Sequence, residues 1–181
     1  MLTISSKQQL DRYKRQRALI TLFLDSGYTQ RNIEVVMNAK WGFDAHVGRA
    51  WHMLIPYKEG GYAIDVPLTK RSYGIHLSRQ VIKEQGIGTA ELPVILFENY
   101  TQESDYFYVS LSGMSEEEVI TIMGEIGDIV VNEFENGRTD PADFRFDVTE
   151  KVKRHVRIQR AVKLVKRGAS TAIGVAVGLS G

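Results

Sequence analysis

The chain has 181 residues and a mass of 20.5 kDa, with 43% apolar residues, 25% charged residues, a formal net charge of +1 and no cysteine. This is the composition of one ordinary globular domain, and the lack of cysteine excludes a disulfide framework, a Cys-ligated zinc or iron–sulfur centre, a thiolate nucleophile and dithiol redox chemistry. The near-zero net charge hides a segregation along the chain: residues 1–100 hold 13 basic and 9 acidic side chains, residues 101–150 hold 2 and 13, and residues 151–181 hold 8 and none.

Residues 1–17 are polar and basic through Lys7, Arg12, Lys14, Arg15 and Arg17, without the apolar core of a secretory signal. They read as a short polar helix over residues 5–17, anchored only by Leu10 and Tyr13. The uncharged run Ala18–Leu24, stopped by Asp25-Ser26-Gly27, has the length and punctuation of a strand buried on both faces. Thr29 then caps a helix carrying Ile33, Val36 and Met37, which fades before a turn at Trp41-Gly42-Phe43. A second strand is expected over Trp51–Tyr57, ended by Pro56 and Gly60-Gly61, with Tyr62–Val66 returning as a short edge strand. Between Ser72 and Gln85 the residues Leu77, Val81 and Ile82 fall at helical spacing, and Gly86 followed by Ile87 fits a left-handed C-terminal cap.

Leu92–Phe97 and Tyr106–Leu111 are expected to pair antiparallel as a hairpin. Ser115 and Glu118 form a capping box, and Val119, Ile122, Met123, Ile126, Ile129, Val130 and Phe134 follow one helical face until Asn136-Gly137 stops it. Asp140-Pro141 punctuates a linker over residues 138–148. From residue 149 a basic helix gathers Lys151, Lys153, Arg154, Arg157, Arg160, Lys163, Lys166 and Arg167. The final stretch, Gly168–Gly181, is uncharged and small, with Gly174 and Gly178 in a Gly-x-x-x-Gly pair that lets helices approach closely. At about 1.5 Å per residue this tail covers roughly 21 Å, short of the roughly 30 Å of a bilayer core.

Residues 18–134 thus run strand, helix, strand, helix, strand, strand, helix. With Leu92-Pro93-Val94 opening the strand before the last hairpin, the chain resembles a thioredoxin-like domain, a family whose corresponding strand begins at a cis-proline. The loop that carries the family's Cys-x-x-Cys motif is occupied here by Asp25-Ser26-Gly27-Tyr28. The resemblance covers about two-thirds of the chain and implies the scaffold and its groove at Asp25, Ser26, Gly27, Tyr28 and Pro93. Without either cysteine it does not carry over redox activity. Pro93 permits the cis isomer, and a trans proline starting a strand explains it equally well.

Catalytic signatures are missing: there is no Gly-x-Ser-x-Gly elbow, phosphate loop, His-Glu-x-x-His or dinucleotide glycine fingerprint. Asp44, His46 and His52 could offer a carboxylate and two imidazoles to a metal, or form a base with its orienting acid. The simpler reading makes His52 a half-buried strand residue beside Trp51. Tyr57, Tyr62, Tyr73, Tyr100 and Tyr106–Tyr108 invite base stacking, but Glu98, Glu103 and Asp105 beside them repel phosphate, so nucleic acid is the least favoured partner.

The sequence therefore predicts an α/β fold with a single mixed-sheet, thioredoxin-like domain over residues 18–137, preceded by a polar helix (1–17). A linker (138–148) and a basic helix with a small-residue apolar tail (149–181) follow. The expected function is non-enzymatic, cytoplasmic and free of cofactor, with the C-terminal helix mediating self-association or binding a protein partner. The alternatives are recruitment to an anionic membrane surface through residues 151–181, as a peripheral membrane protein, and an enzyme built around Asp44, His46 and His52.

Overall fold

The computed structural model describes residues 1–27, 30–58, 69–100 and 107–158. Its strands are β1 (Leu2–Ile4), β2 (Leu19–Leu24), β3 (Trp51–Pro56), β4 (Val94–Glu98) and β5 (Tyr108–Ser110). The helices are α1 (Gln30–Asn38), α2 (Lys40–Val47), α3 (Ile75–Glu84) and α4 (Glu116–Asn136), followed by α5 over 141–158. Short 3-10 turns occupy Lys7–Tyr13, Lys70–Ser72 and Thr89–Glu91. Met1–Thr149 make up one compact unit and Glu150–Gly181 a second. No helix among the described residues is long and apolar enough to cross a membrane.

The strands form one mixed sheet in the order β1-β3-β2-β4-β5, so the fold is α/β. β3 runs parallel to both β1 and β2, whereas β4 is antiparallel to β2 and β5 to β4. All six residues of β2 are buried, as its uninterrupted apolar run requires. Strand alternation sends Ile20, Leu22 and Leu24 to one face, where they join Leu54, Val94 and Leu96 against Leu77, Val81 and Ile82 of α3. Leu19, Thr21 and Phe23 point to the other face. There Trp51 donates its indole N–H to Thr21 Oγ1 at 2.8 Å and meets the Phe43 ring edge-on, with centroids 4.8 Å apart.

Local sequence signals set the helix ends. Ser115 Oγ accepts the Glu118 amide while Glu118 Oε2 accepts the Ser115 amide, the capping box of α4. At the end of α3, Gly86 adopts φ +63°, and the amides of Gly86 and Ile87 donate to Lys83 and Ile82, a Schellman cap. The C-terminus of α4 is closed from a distance. Arg17 donates to the carbonyls of Phe134 (2.8 Å), Gly137 (3.2 Å) and Arg138 (2.7 Å), and its guanidinium lies over the Phe134 and Phe144 rings.

Three expectations are corrected. The N-terminal stretch is helical only over Lys7–Tyr13, and there as a 3-10 helix and not over all of residues 5–17; it opens with β1, a strand too short for periodicity to register. Trp41-Gly42-Phe43 is not a turn but lies inside α2, where the Lys40–Asp44 pair and the Phe43–Val47 spacing follow the i,i+4 rule. Residues 138–148 do not form an irregular linker, because Asp140 Oδ1 accepts the amides of Ala142 and Asp143, so that α5 starts at 141 with Pro141 as its first residue. The Thr29 cap, the edge strand at Tyr62–Val66 and the hairpin connection at 101–105 lie outside the described residues.

Three substitutions test this packing. A Cβ on Gly74 would stand 2.6–2.7 Å from the Tyr57 backbone, whereas one on Gly88 would meet nothing within 4 Å. Gly74→Ala is therefore expected to destabilise by about 2–3 kcal/mol and Gly88→Ala by less than about 0.5 kcal/mol, read by urea denaturation. Replacing Arg17 with Met should remove about 2 kcal/mol by leaving the last carbonyls of α4 without a cationic donor, lowering Tm by about 4–8 °C.

Candidate functional site

Two places collect the predicted groups or expose unusual surface. The first is the end of β2. Asp25 is 1% exposed, and its Oδ1 accepts the Gly27 amide at 3.0 Å while its Oδ2 has no hydrogen-bond partner among the described residues. Gly27 turns with φ +81° and sits against Ile75, where a Cβ would come within 2.9 Å of the Ile75 side chain. The Asp25 amide donates to the Tyr73 hydroxyl (2.8 Å), Ser78 Oγ donates back to the Asp25 carbonyl (2.8 Å), and Arg79 Nε donates to the Ser26 carbonyl (3.0 Å). Tyr73 Oη also lies 2.9 Å from Ser78 Oγ and 3.2 Å from the Phe23 carbonyl.

The ladder pairs Leu24 with Val94, so Pro93, whose peptide with Leu92 is cis, stands beside Asp25 at the same end of the central strands. Burial pushes the Asp25 carboxyl up, partly offset by hydrogen bonds from the Gly27 and Ser26 amides. Burial likewise raises the Tyr73 phenol. The hydroxyls of Tyr73 and Ser78 are committed to the main chain of Phe23 and Asp25, so this cluster holds the loop in place.

The second place is a groove of about 410 Å³ between α2 and α4, lined by Gly42, Phe43, Ile120, Met123 and Gly124 among others. Gly42 and Gly124 both lie inside helices, where glycine costs roughly 1 kcal/mol relative to alanine. A Cβ on either would meet nothing within 4 Å, so neither is required by packing of the domain itself. Gly127 differs: its Cβ would come within 2.7 Å of the His46 ring, and it admits α2 to α4. The neighbouring Trp41 is 84% exposed and Ile120 53%. Glu116, Ile120, Gly124 and Asp128 follow one another at i,i+4 spacing, so the apolar stretch of α4 is bounded at both ends by carboxylates.

Asp44, His46 and His52 are not assembled into one centre. Asp44 accepts from the Met1 amine and the Lys40 ammonium, His46 Nε2 lies 3.0 Å from Asp128 Oδ1, and His52 is on β3 with its ring 5.8 Å from that of Tyr13. Burial lowers the His52 imidazole, and the positive N-terminal amine adds to the shift. No group of three or more metal-binding side chains occurs among the described residues.

Lys151, Lys153, Arg154 and Arg157 lie on α5, with Lys153 Nζ 2.8 Å from Glu150. Tyr28, Arg160, Lys163, Lys166, Arg167, Gly174 and Gly178 lie outside the described residues. The sequence reading did not find the groove, although the Lys40–Asp44 spacing was the available sign that Trp41 belongs to a helix. No family model, curated protein or solved structure matches the chain.

The raised Asp25 carboxyl makes a pH prediction. The folded chain holds this proton at pH values where the unfolded chain has released it, so stability falls as pH rises from the ordinary carboxylate range towards the folded pKa. Asp25→Asn removes that loss. The Tm advantage of Asp25→Asn over the parent should therefore widen from pH 4 to pH 8; a constant difference in thermal melts would contradict a buried carboxyl of this kind.

Proposed function

We propose that the protein is a non-enzymatic assembly module on a thioredoxin-like scaffold, in which the α2–α4 groove of one copy receives the basic, small-residue C-terminal segment of another. The strand order and directions of the sheet support the scaffold, together with the position of Pro93 at the head of β4. With no cysteine in the sequence, the scaffold is used for binding and not for thiol exchange.

The observation that carries the assembly reading is the groove itself: an apolar channel floored by two helical glycines that the domain's own packing does not use, beside an exposed tryptophan. Exposed aromatic anchors next to a groove are the usual source of interface energy. The occupant is argued from chemistry. Residues 101–150, which include α4, hold 13 acidic side chains, and residues 151–167 supply eight basic ones ahead of a Gly- and Ala-rich stretch slim enough for a glycine floor. Because the groove and the segment are different surfaces, the contact is heterologous, giving rings or open chains of subunits.

Sedimentation velocity of the full chain over a wide concentration range tests this. The parent should show mass above a single chain, weakened by salt. Gly124→Leu fills the groove without entering the core and should weaken association about thirtyfold or more while melting no lower than the parent, since it also replaces a helical glycine; the double variant Arg157→Glu/Arg160→Glu should weaken association likewise. A parent that stays monomeric at all concentrations, or a Gly124→Leu chain that assembles like the parent, refutes the proposal.

A further inference from the structure

On the α3 face of the sheet lies a cleft with chemistry opposite to that of the groove. It opens between the residues around Ser6 and Lys7, Tyr57 and Lys58 just past β3, and the start of α3, with a volume of about 610 Å³, within the roughly 300–1,000 Å³ of small-ligand sites. None of its ten lining residues is acidic. Lys7, Lys58, His76, Ser6 and Gln80 bring side-chain donors from three separate chain segments, and Leu77 contributes an apolar patch.

The walls are fixed from outside the cleft. Glu84, one turn beyond Gln80 and not a lining residue, binds the Lys7 ammonium and accepts from Gln80 Nε2 at 3.0 Å, tying the N-terminal turn to α3. These hydrogen bonds hold the Glu84 carboxyl below its ordinary range. The Lys58 amide donates to the Ser72 carbonyl at 3.0 Å, and the Gly74 amide donates to the Pro56 carbonyl at 2.8 Å, setting the start of α3 against the end of β3. Lys58 and His76, by contrast, have no ion pair among the described residues. Two nitrogen-bearing side chains without carboxylate partners among the described residues thus line one cavity.

The geometry points to a binding site for a phosphate monoester, with Lys58, His76 and Lys7 around the phosphoryl oxygens and Leu77 against the organic part. An oxyanion with three outward oxygens matches donors converging from separate elements, and lysine serves such a group as a point charge. The volume leaves room for a sugar or a base beyond the phosphate.

The test uses the full chain in physiological salt, with inorganic phosphate and ribose 5-phosphate followed by calorimetry, and with vesicles of phosphatidylcholine containing phosphatidic acid followed by pelleting. Saturable binding of ribose 5-phosphate, tighter than that of inorganic phosphate and weakened about tenfold by Lys58→Gln and by His76→Gln, is the expected result. Lys83→Gln, on α3 but outside the cleft, should bind like the parent. Pelleting that depends on Lys58, without binding of the soluble ester, would support the phosphate site and assign its phosphate to a lipid headgroup. Absence of binding by either source, or equal binding by the parent and both cleft variants, overturns the proposal. Unchanged melting of the variants identifies a loss of binding as a local effect.

Discussion

The structure hangs on β2. Its six residues are all buried, so each face of the strand must be covered by a separate layer of the chain, and burial of each large side chain contributes roughly 1.5–3 kcal/mol. A parallel neighbour on one side and an antiparallel neighbour on the other make the sheet mixed. The parallel partner needs a crossover, which supplies α1 and α2 on the Trp51 face. The antiparallel partner is reached after α3 has covered the Leu22 face. The end of β2 then leaves main-chain groups in the interior, and the Tyr73–Ser78 pair answers that need, since a buried amide or carbonyl without a partner costs about 1–3 kcal/mol.

The two candidate sites follow from how the layers close. On one face α2 approaches α4 at Gly127, and the glycines at 42 and 124 leave the helices apart on the solvent side, so that close packing below produces an open groove above. On the other face Glu84 ties the 3-10 helix to α3, and Lys58 and His76 keep no acidic partner among the described residues. In each case a contact that stabilises the fold also determines which surface remains unsatisfied.

Much of this was legible in the sequence, and the failures have local causes. The apolar run of β2, the Schellman glycine of α3 and the Ser115–Glu118 box are signals whose partners lie within a few residues, and each appears as expected. β1 was missed because three residues carry no period, and its strand identity is set by pairing with Leu54–Pro56 some fifty residues away. α2 was missed because Trp41 and Gly42 resemble a turn by composition, while the helix is held by tertiary packing of Phe43 on Trp51. The Asp25 network and the Lys58–His76 cleft join residues separated by long stretches of chain, information that periodicity does not contain. Arg17 likewise read as one more basic residue of a polar lead-in, and only the fold brings it to the end of α4.

The opposite chemistry of the two faces also bears on the charge segregation. The acidic α4 surface and the Lys58 cleft are separate surfaces, and solvent ions screen the charges of each over a Debye length of about 8 Å at physiological ionic strength. A ligand approaching either face therefore responds mainly to the charge nearest to it and only weakly to the formal total of +1. Near-neutrality of the whole is thus compatible with a surface that attracts cations on one side and anions on the other. Charge patterning along the chain is consequently more informative about binding than the net value.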